Sequence, residues 1–322
     1  MRFAAIGRSQ VLFNSIEHLL EMGHNLVGVI TDVGAAEYSR QIIDFEKIAI
    51  RNQVPFLVTS LSGEIDEFLR NIDDLDIGLS VNHRRVIEKS TINFFKYGIL
   101  NLHGGDLPKY RGNACQAWAI INGEIRIGAC VYKIQADALD AGKILSREYF
   151  ELSHETKIGT CLNWIETVSP KMFAKAFSLL EENPEFFLED TSKDMQKGFR
   201  CHERRPIDGY INWNQEPDEI VRLINASGPP FFGAFSFLNG EIIKIYDASV
   251  GEKIESFYAV PGQVIMIGED FARIACGQKG GHIKVVSLQD SSDVSSISKV
   301  LKSTRSRLGP KITIVNQLME ST

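Results

Sequence analysis

The stretch LNLHGGDLPKYRGNACQAW, Leu100 to Trp118, concentrates groups that bind ligands or move protons. It follows the apolar run YGIL and offers an amide, an imidazole, two glycines and an acid before Pro108, Lys109 and Arg111. In an extended segment alternate side chains share a face, so Asn101 and His103 can converge on one atom. A neutral imidazole and a carboxamide together offer donors to a developing oxyanion, which is the recurrent demand of acyl transfer. Taken alone, Asn-x-His more often marks a capping amide and a half-buried turn histidine, so the pair by itself is weak evidence. Further on, QADALDAGKIL carries Asp137 and Asp140 in a small-residue loop between strand-like runs. Either carboxylate could orient His103 and stabilise its protonated form, and the segment also reads as a solvated turn. Arg8, Ser9, Lys109, Arg111 and Asn113 are the candidate contacts to a phosphate-bearing substrate, with Lys109 and Arg111 equally suited to bracing their own loop.

These residues need a scaffold that brings distant loops together. RFAAIG reads as a buried strand and SQVLFNSIEHLLEMG as an amphipathic helix stopped at Gly23. The alternation continues: NLVGVITD strand, DFEKIAIRNQ helix, VPFLVT strand, GEIDEFLRNI helix, LDIGLSV strand, STINFFKY helix and GILNLH strand. Such alternation predicts an α/β fold, a Rossmann-like doubly wound, mostly parallel sheet. RIGACVYKI and KILSREYFEL read as antiparallel edge strands, followed by a long helix from about Thr156 to Leu180. KDMQKGFRCHERR reads as a polar linker, and from Pro206 onward helix signals nearly vanish. Short strand-like runs separated by NG, PG and GG then suggest a small β-barrel. The expected domains are residues 1–204 and residues 205–322. The first strand-to-helix turn, Gly7-Arg8-Ser9-Gln10, has a single glycine, which counts against a dinucleotide, and no Walker loop is present. Ligands of a parallel sheet bind beyond the carboxyl ends of its strands, which points to IGRS, SVNHRRVI and NLHGGDLPKYRG.

At 322 residues and 44% hydrophobic content the chain has room for two cored domains. A net charge of −6 disfavours a surface that embraces nucleic acid as a whole. Residues 205–322 hold 12 Lys and Arg against 13 Asp and Glu, an uncommitted balance for a tRNA-gripping domain. Within them KVLKSTRSRLGPK, with five basic residues and no acid, is a candidate nucleic-acid contact or a solvated face. Five scattered cysteines without a CxxC pair suggest neither a zinc site nor a disulfide framework, and they fit a reducing cytoplasm. We expect a cytoplasmic chain with no targeting segment, no membrane anchor and no metal.

Asn-x-His followed by L-P-x-Y-R-G and then D-A-G resembles the 10-formyltetrahydrofolate-dependent formyltransferases, in the branch that holds the sugar N-formyltransferases and methionyl-tRNA formyltransferase. The resemblance covers nearly the whole chain. SVNHRRVI is similar to the family's folate loop, RRPIDGYINW to its inter-domain motif, and PGQVIMIGEDFARIACGQKGGHIKVVSLQ to its C-terminal barrel, which resembles an OB-fold. It implies an enzyme with Asn101, His103 and Asp140 as catalytic residues. It further implies that Asn82, His83, Arg84, Val86 and Ile87, with Gln135, Ala136, Asp137 and Leu139, border the pterin of the donor, 10-formyltetrahydrofolate. Departures fall on the acceptor side: Gly105-Asp106 stands where the family commonly has Ser-Leu, and Asn113-Ala-Cys115 where many members end in Ala-Pro. The expected acceptor is a nucleotide-linked amino sugar, a UDP- or dTDP-4-amino-4,6-dideoxyhexose of surface glycan biosynthesis. The alternatives are methionyl-tRNA and a non-catalytic folate-binding or interaction protein on the same scaffold. A homodimer is compatible with each.

Overall fold

The computed structural model describes residues 1–136, 138–278, 280–289, 294–295 and 297–310. Met1–Cys115, Arg126–Glu151 and Cys161–Glu203 form one compact unit; Gln116–Ile125, Leu152–Thr160 and the described residues from Arg204 onward form a second.

The first unit begins with β1 (Arg2–Gly7), α1 (Gln10–Glu21), β2 (Asn25–Thr31), α2 (Ile42–Asn52), β3 (Phe56–Val58), α3 (Ser62–Arg70), β4 (Ile77–Val81), α4 (Lys89–Ile92) and β5 (Ile99–His103). In chain order there follow β6 (Tyr110–Gly112), α5 (Cys115–Ile121), which beyond Cys115 belongs to the second unit, β7 (Arg126–Ile134), β8 (Gly142–Glu151), α6 (Ile158–Glu182), in the first unit from Cys161 on, β9 (Glu189–Asp190) and β10 (Phe199–Cys201). Eight strands make one sheet in the order β3-β2-β1-β4-β5-β7-β8-β9. The first five are parallel, and β7, β8 and β9 continue the sheet antiparallel. The strand order reverses between β1 and β4, and a crevice at such a reversal is where ligands of this sheet type bind.

Alternation along the strands divides the core. Phe3, Ala5, Leu79, Val81, Leu100 and Leu102 pack with Leu12 and Ile16 of α1, Ile48 of α2 and Phe173 and Phe177 of α6. On the other face Ala4, Ile6, Ile30 and Ile99 pack with Ile65 and Leu69 of α3 and with Phe95. Both faces are thus buried, as a parallel sheet requires, and burial of this apolar surface is the main favourable term in folding.

Several sequence expectations need correction. STINFFKY yields only the single turn of α4, because the chain must return within a few residues to start β5. β7 and β8 lie inside the sheet, with the two-residue β9 as its edge. The expected linker contains β10, which pairs in parallel with β6 through Cys201↔Gly112 and is held by an edge-to-face contact of Tyr110 with Phe199 at 4.6 Å.

In the second unit, α7 (Pro217–Ser227) is an eleven-residue helix where helix was not expected. Its signals are Pro217 at the first helical position and Glu219, whose carboxylate accepts from the Glu216 amide at 3.0 Å. Ile220 and Ile224 bury its inner face against an antiparallel sheet. The sheet runs β11 (Ala234–Leu238), β12 (Glu241–Val250), β15 (His282–Gln289), β14 (Ala272–Ala275) and β13 (Val264–Ile267), with β16 (Val294–Ser295) on β15 and the short α8 (Ile297–Val300) after it. RRPIDGYINW supplies a turn at Pro206–Gly209 and core residues Ile211 and Trp213, the indole N–H donating to Ser236 Oγ at 2.9 Å. Among the described residues no helix is long and apolar enough to cross a membrane.

Candidate active site

β5 ends in Asn101 and His103, and the antiparallel register sets Asn101 opposite Tyr132 and His103 opposite Cys130 of β7. Directly paired residues point to the same face, so these four side chains form one patch. The loop after β7 folds back over it, closed by Gln135 N donating to Ala141 O at 3.4 Å, and delivers Asp140. Asp140 is 9% exposed and His103 6%. Asp140 Oδ1 lies 3.6 Å from His103 Nδ1 and accepts from Tyr132 Oη at 3.2 Å, while Oδ2 accepts from the Gly112 amide at 2.7 Å. Asn101 Nδ2 donates to Tyr132 Oη at 3.2 Å. Asn101, His103 and Asp140 are therefore brought together. Asp137 lies outside the described residues.

The other nitrogen of His103 is engaged: Nε2 is 2.7 Å from the Tyr110 carbonyl. A carbonyl only accepts, so Nε2 carries a proton and Nδ1, facing Asp140, is the nitrogen left to change state. This corrects the expectation of a neutral imidazole donating to an oxyanion. Donation from Nδ1 requires the imidazolium, formed opposite Asp140. Gly105 makes this geometry feasible, since a Cβ there would fall 2.4 Å from Tyr110 O and 2.6 Å from His103 Nε2.

At the strand-order reversal, two loops interlock. Arg8 N donates to Val81 O and Asn82 Nδ2 to Ser9 Oγ at 3.1 Å. Gly7 has φ 134°, and a Cβ on it would sit 2.0 Å from Val81 O. Arg8 donates from Nε to Asn82 O and from Nη1 to Val33 O, and stacks on Tyr38. Arg84 Nε pairs with Asp32 at 3.1 Å and Nη2 donates to Val33 O. Val86 is 55% exposed, Ile87 is buried and Leu139 is exposed. Burial holds the His83 imidazole at about 4, against the pull of Asp32. Ser9, Asn82, Ala114 and Asp140, four of the seven non-glycine residues with positive φ among the described residues, lie on the loops around this site. Such backbone costs on the order of 1–3 kcal/mol per residue and clusters where geometry serves a ligand.

On the loop after β5, Asp106 is structural: it lies 3.6 Å from Arg147 Nη1 and accepts from Tyr149 Oη at 3.2 Å. Lys109 is exposed, with its ammonium 5.4 Å from the Tyr110 ring centroid; Arg111 is half-buried on β6; Asn113 is exposed, its backbone N–H donating to Cys201 O. The sequence did not place two of its thiols beside His103. Cys115 Sγ lies 3.6 Å from His103 Nε2, and its hydrogen bond with the Cys201 thiol, together with burial, pushes its acidity well out of the thiolate range. Among the described residues no cluster of His, Cys, Asp and Glu could hold a metal ion.

A polar patch of amide, imidazole and carboxylate suits transfer of an acyl group to a nucleophile. Family models agree with that chemistry: residues 1–177 match the formyl transferase domain and residues 204–305 the formyl transferase C-terminal domain. Methionyl-tRNA formyltransferase of Geotalea uraniireducens is 27% identical over 298 residues, covering 90% of each chain, and the sequence relatives are mostly of that description. In fold, the chain is similar to WlaRD, a sugar 3N-formyl transferase solved with dTDP and 5-N-formyl-THF (TM-score 0.64, 19% identity, 91% of this chain and 98% of that one). It is also similar to HypX from Aquifex aeolicus, of which it spans about half the length (TM-score 0.61, 16% identity, 94% of this chain and 47% of that one). With more than half of its length matched by the catalytic family model, the chain belongs to the formyl transferase family.

Proposed function

We propose that this protein moves a formyl group from 10-formyltetrahydrofolate to a primary amine, with Asn101, His103 and Asp140 as its catalytic residues. The observation that carries the reading is the convergence of Asn101, His103 Nδ1 and Asp140 at the end of β5 in a member of the formyl transferase family. When bound, the donor supplies an electrophilic formyl carbon whose oxygen gains charge as the acceptor nitrogen adds. Asn101 presents an N–H to that oxygen, and His103 adds a second donor when its Nδ1 is protonated. Asp140 stabilises the imidazolium and would take the proton the acceptor nitrogen loses, a proton that would then go to the tetrahydrofolate nitrogen as its bond to the formyl carbon breaks and tetrahydrofolate leaves. The pterin would lie against the loop Asn82–Ile87 and against Gln135, Ala136 and Leu139, where exposed Val86 and Leu139 give apolar contact and a half-buried neutral His83 adds no charge against a flat neutral ring. The catalytic domain then lies within residues 1–204, of which Gln116–Ile125 and Leu152–Thr160 cluster with the second unit. Residues 205–322 form an OB-like domain, a reading supported by Gly309 and Arg307 bridging to Phe237 on one outer strand and to Gln263 beside the other.

For the acceptor, the sequence relatives favour methionyl-tRNA over the amino-sugar nucleotide ranked first from the sequence. The sugar reading rests on the acceptor-side departures Asn113 and Cys115, on exposed Lys109, and on the fold likeness to a sugar formyltransferase. Formyl transfer to charged initiator tRNA and to a panel of UDP- and dTDP-linked amino sugars, measured across a salt series, separates the two. Turnover with tRNA that falls steeply with salt supports the first, because many phosphate contacts release counterions. Turnover of a sugar nucleotide with a shallow salt dependence supports the second, and turnover of neither contradicts formyl transfer.

A further inference from the structure

Tyr132 is a buried polar group that the scheme above leaves without a role. It is 3% exposed, in the run ACVYKI, where it reads as an ordinary core residue of a strand. Its hydroxyl touches both ends of the proposed chemistry, accepting from Asn101 Nδ2 and donating to Asp140 Oδ1, each at 3.2 Å. Burial, followed by the charge of Asp140, pushes the phenol well above its ordinary range, so it keeps its proton. A phenol has one proton to give, and a carboxylate can only accept it. The proton therefore goes to Asp140, and the oxygen must accept from Asn101. That order decides which end of the carboxamide faces Tyr132. It has to be the NH2 end, which commits one N–H to the phenol and leaves the second for an oxyanion.

We propose that Tyr132 is a positioning residue for formyl transfer, its hydroxyl holding the Asn101 carboxamide in the donating orientation and tying it to the ionised form of Asp140. The inference rests on the reading that Asn101 and Asp140 serve the oxyanion and the proton. Without the hydroxyl, the carboxamide is free to turn and present its carbonyl to developing negative charge, which repels where it should stabilise.

The test is Tyr132→Phe, alone and combined with Asn101→Ala, in full-length protein with saturating donor and a turned-over acceptor. Tyr132→Phe is expected to lower kcat about 10-fold or more, part of the effect of losing an oxyanion donor outright, with KM for both substrates within about twofold. In the Asn101→Ala background the same change should lower kcat several-fold less than in the wild type, because no carboxamide remains to be oriented and only the bond to Asp140 is lost. Additive losses, or a Tyr132→Phe enzyme at wild-type kcat, overturn the proposal. Should Tyr132→Phe fail to fold, site-specific 3-fluorotyrosine at position 132 keeps the shape and changes the phenol's acidity. A changed kcat at constant KM then supports the role, and an unchanged kcat overturns it. A wild-type protein that formylates no acceptor overturns the formyl-transfer reading and this inference with it, whereas an active wild type with an indifferent Tyr132→Phe overturns this inference alone.

Discussion

His103 has neighbours on both sides, and they sort two rival chemistries. Cys115 Sγ at 3.6 Å has the look of a cysteine–histidine nucleophile pair, which would make the protein form an acyl-enzyme. Two facts oppose that. The nitrogen nearest the sulfur, Nε2, already donates to Tyr110 O, and the thiol is held neutral by its bond to Cys201 and by burial. A neutral thiol is a poor nucleophile. Cys115→Ala is therefore expected to retain turnover within about threefold and to show no ping-pong kinetics; a loss of about 10²-fold would instead make Cys115 a covalent participant. Much of this site was legible in the sequence, because period-two alternation already sets Asn101 and His103 on one face. Tyr132 and Cys115 were not: one hides in an apolar strand and depends on cross-strand register, and the other reaches His103 only because the loop after β5 folds back through β6.

Among the elements, the β1–α1 turn and the loop after β4 stand or fall together. Gly7→Ala would drive a Cβ into Val81 O at a φ that side chains rarely adopt. We expect about 2 kcal/mol or more of destabilisation, read as a lower denaturant midpoint, with weakened folate binding where the fold survives. His83 in the neighbouring loop gives a pH signature. Its folded value of about 4 lies below its ordinary 6.5. Between those values the unfolded chain takes up a proton that the folded chain refuses, so stability present above pH 6.5 is lost as pH falls toward 4. His83→Gln should flatten the dependence of the denaturant midpoint in that window, and an imidazole titrating by NMR above about pH 6 would contradict the assignment. The regular alternation of β1 to β5 with its helices could be read from periodicity alone. By contrast, α4 is cut short by the turn into β5, β10 is three residues held by a distant partner, and α7 announced itself only through Pro217 and Glu219.

At the scale of the whole molecule, a net charge of −6 and a nearly balanced stretch over residues 205–322 argue against broad electrostatic capture of nucleic acid, while the sequence relatives argue for tRNA. Those opposing indications concern the acceptor and leave the transfer chemistry common to both. Composition could bound the domain count but could not choose the acceptor, since charge totals say nothing of where the charges sit. The transfer chemistry stands on Asn101, His103 and Asp140 as the proposed oxyanion and proton site. Single-turnover transfer from isotopically labelled 10-formyltetrahydrofolate, followed by mass spectrometry for wild type, Asn101→Ala and Asp140→Asn, tests it most directly. Labelled formyl amide is expected with wild type and a loss of about 10²-fold or more in each variant, with folate affinity nearly unchanged; transfer of label by the variants at the wild-type rate would rule these residues out.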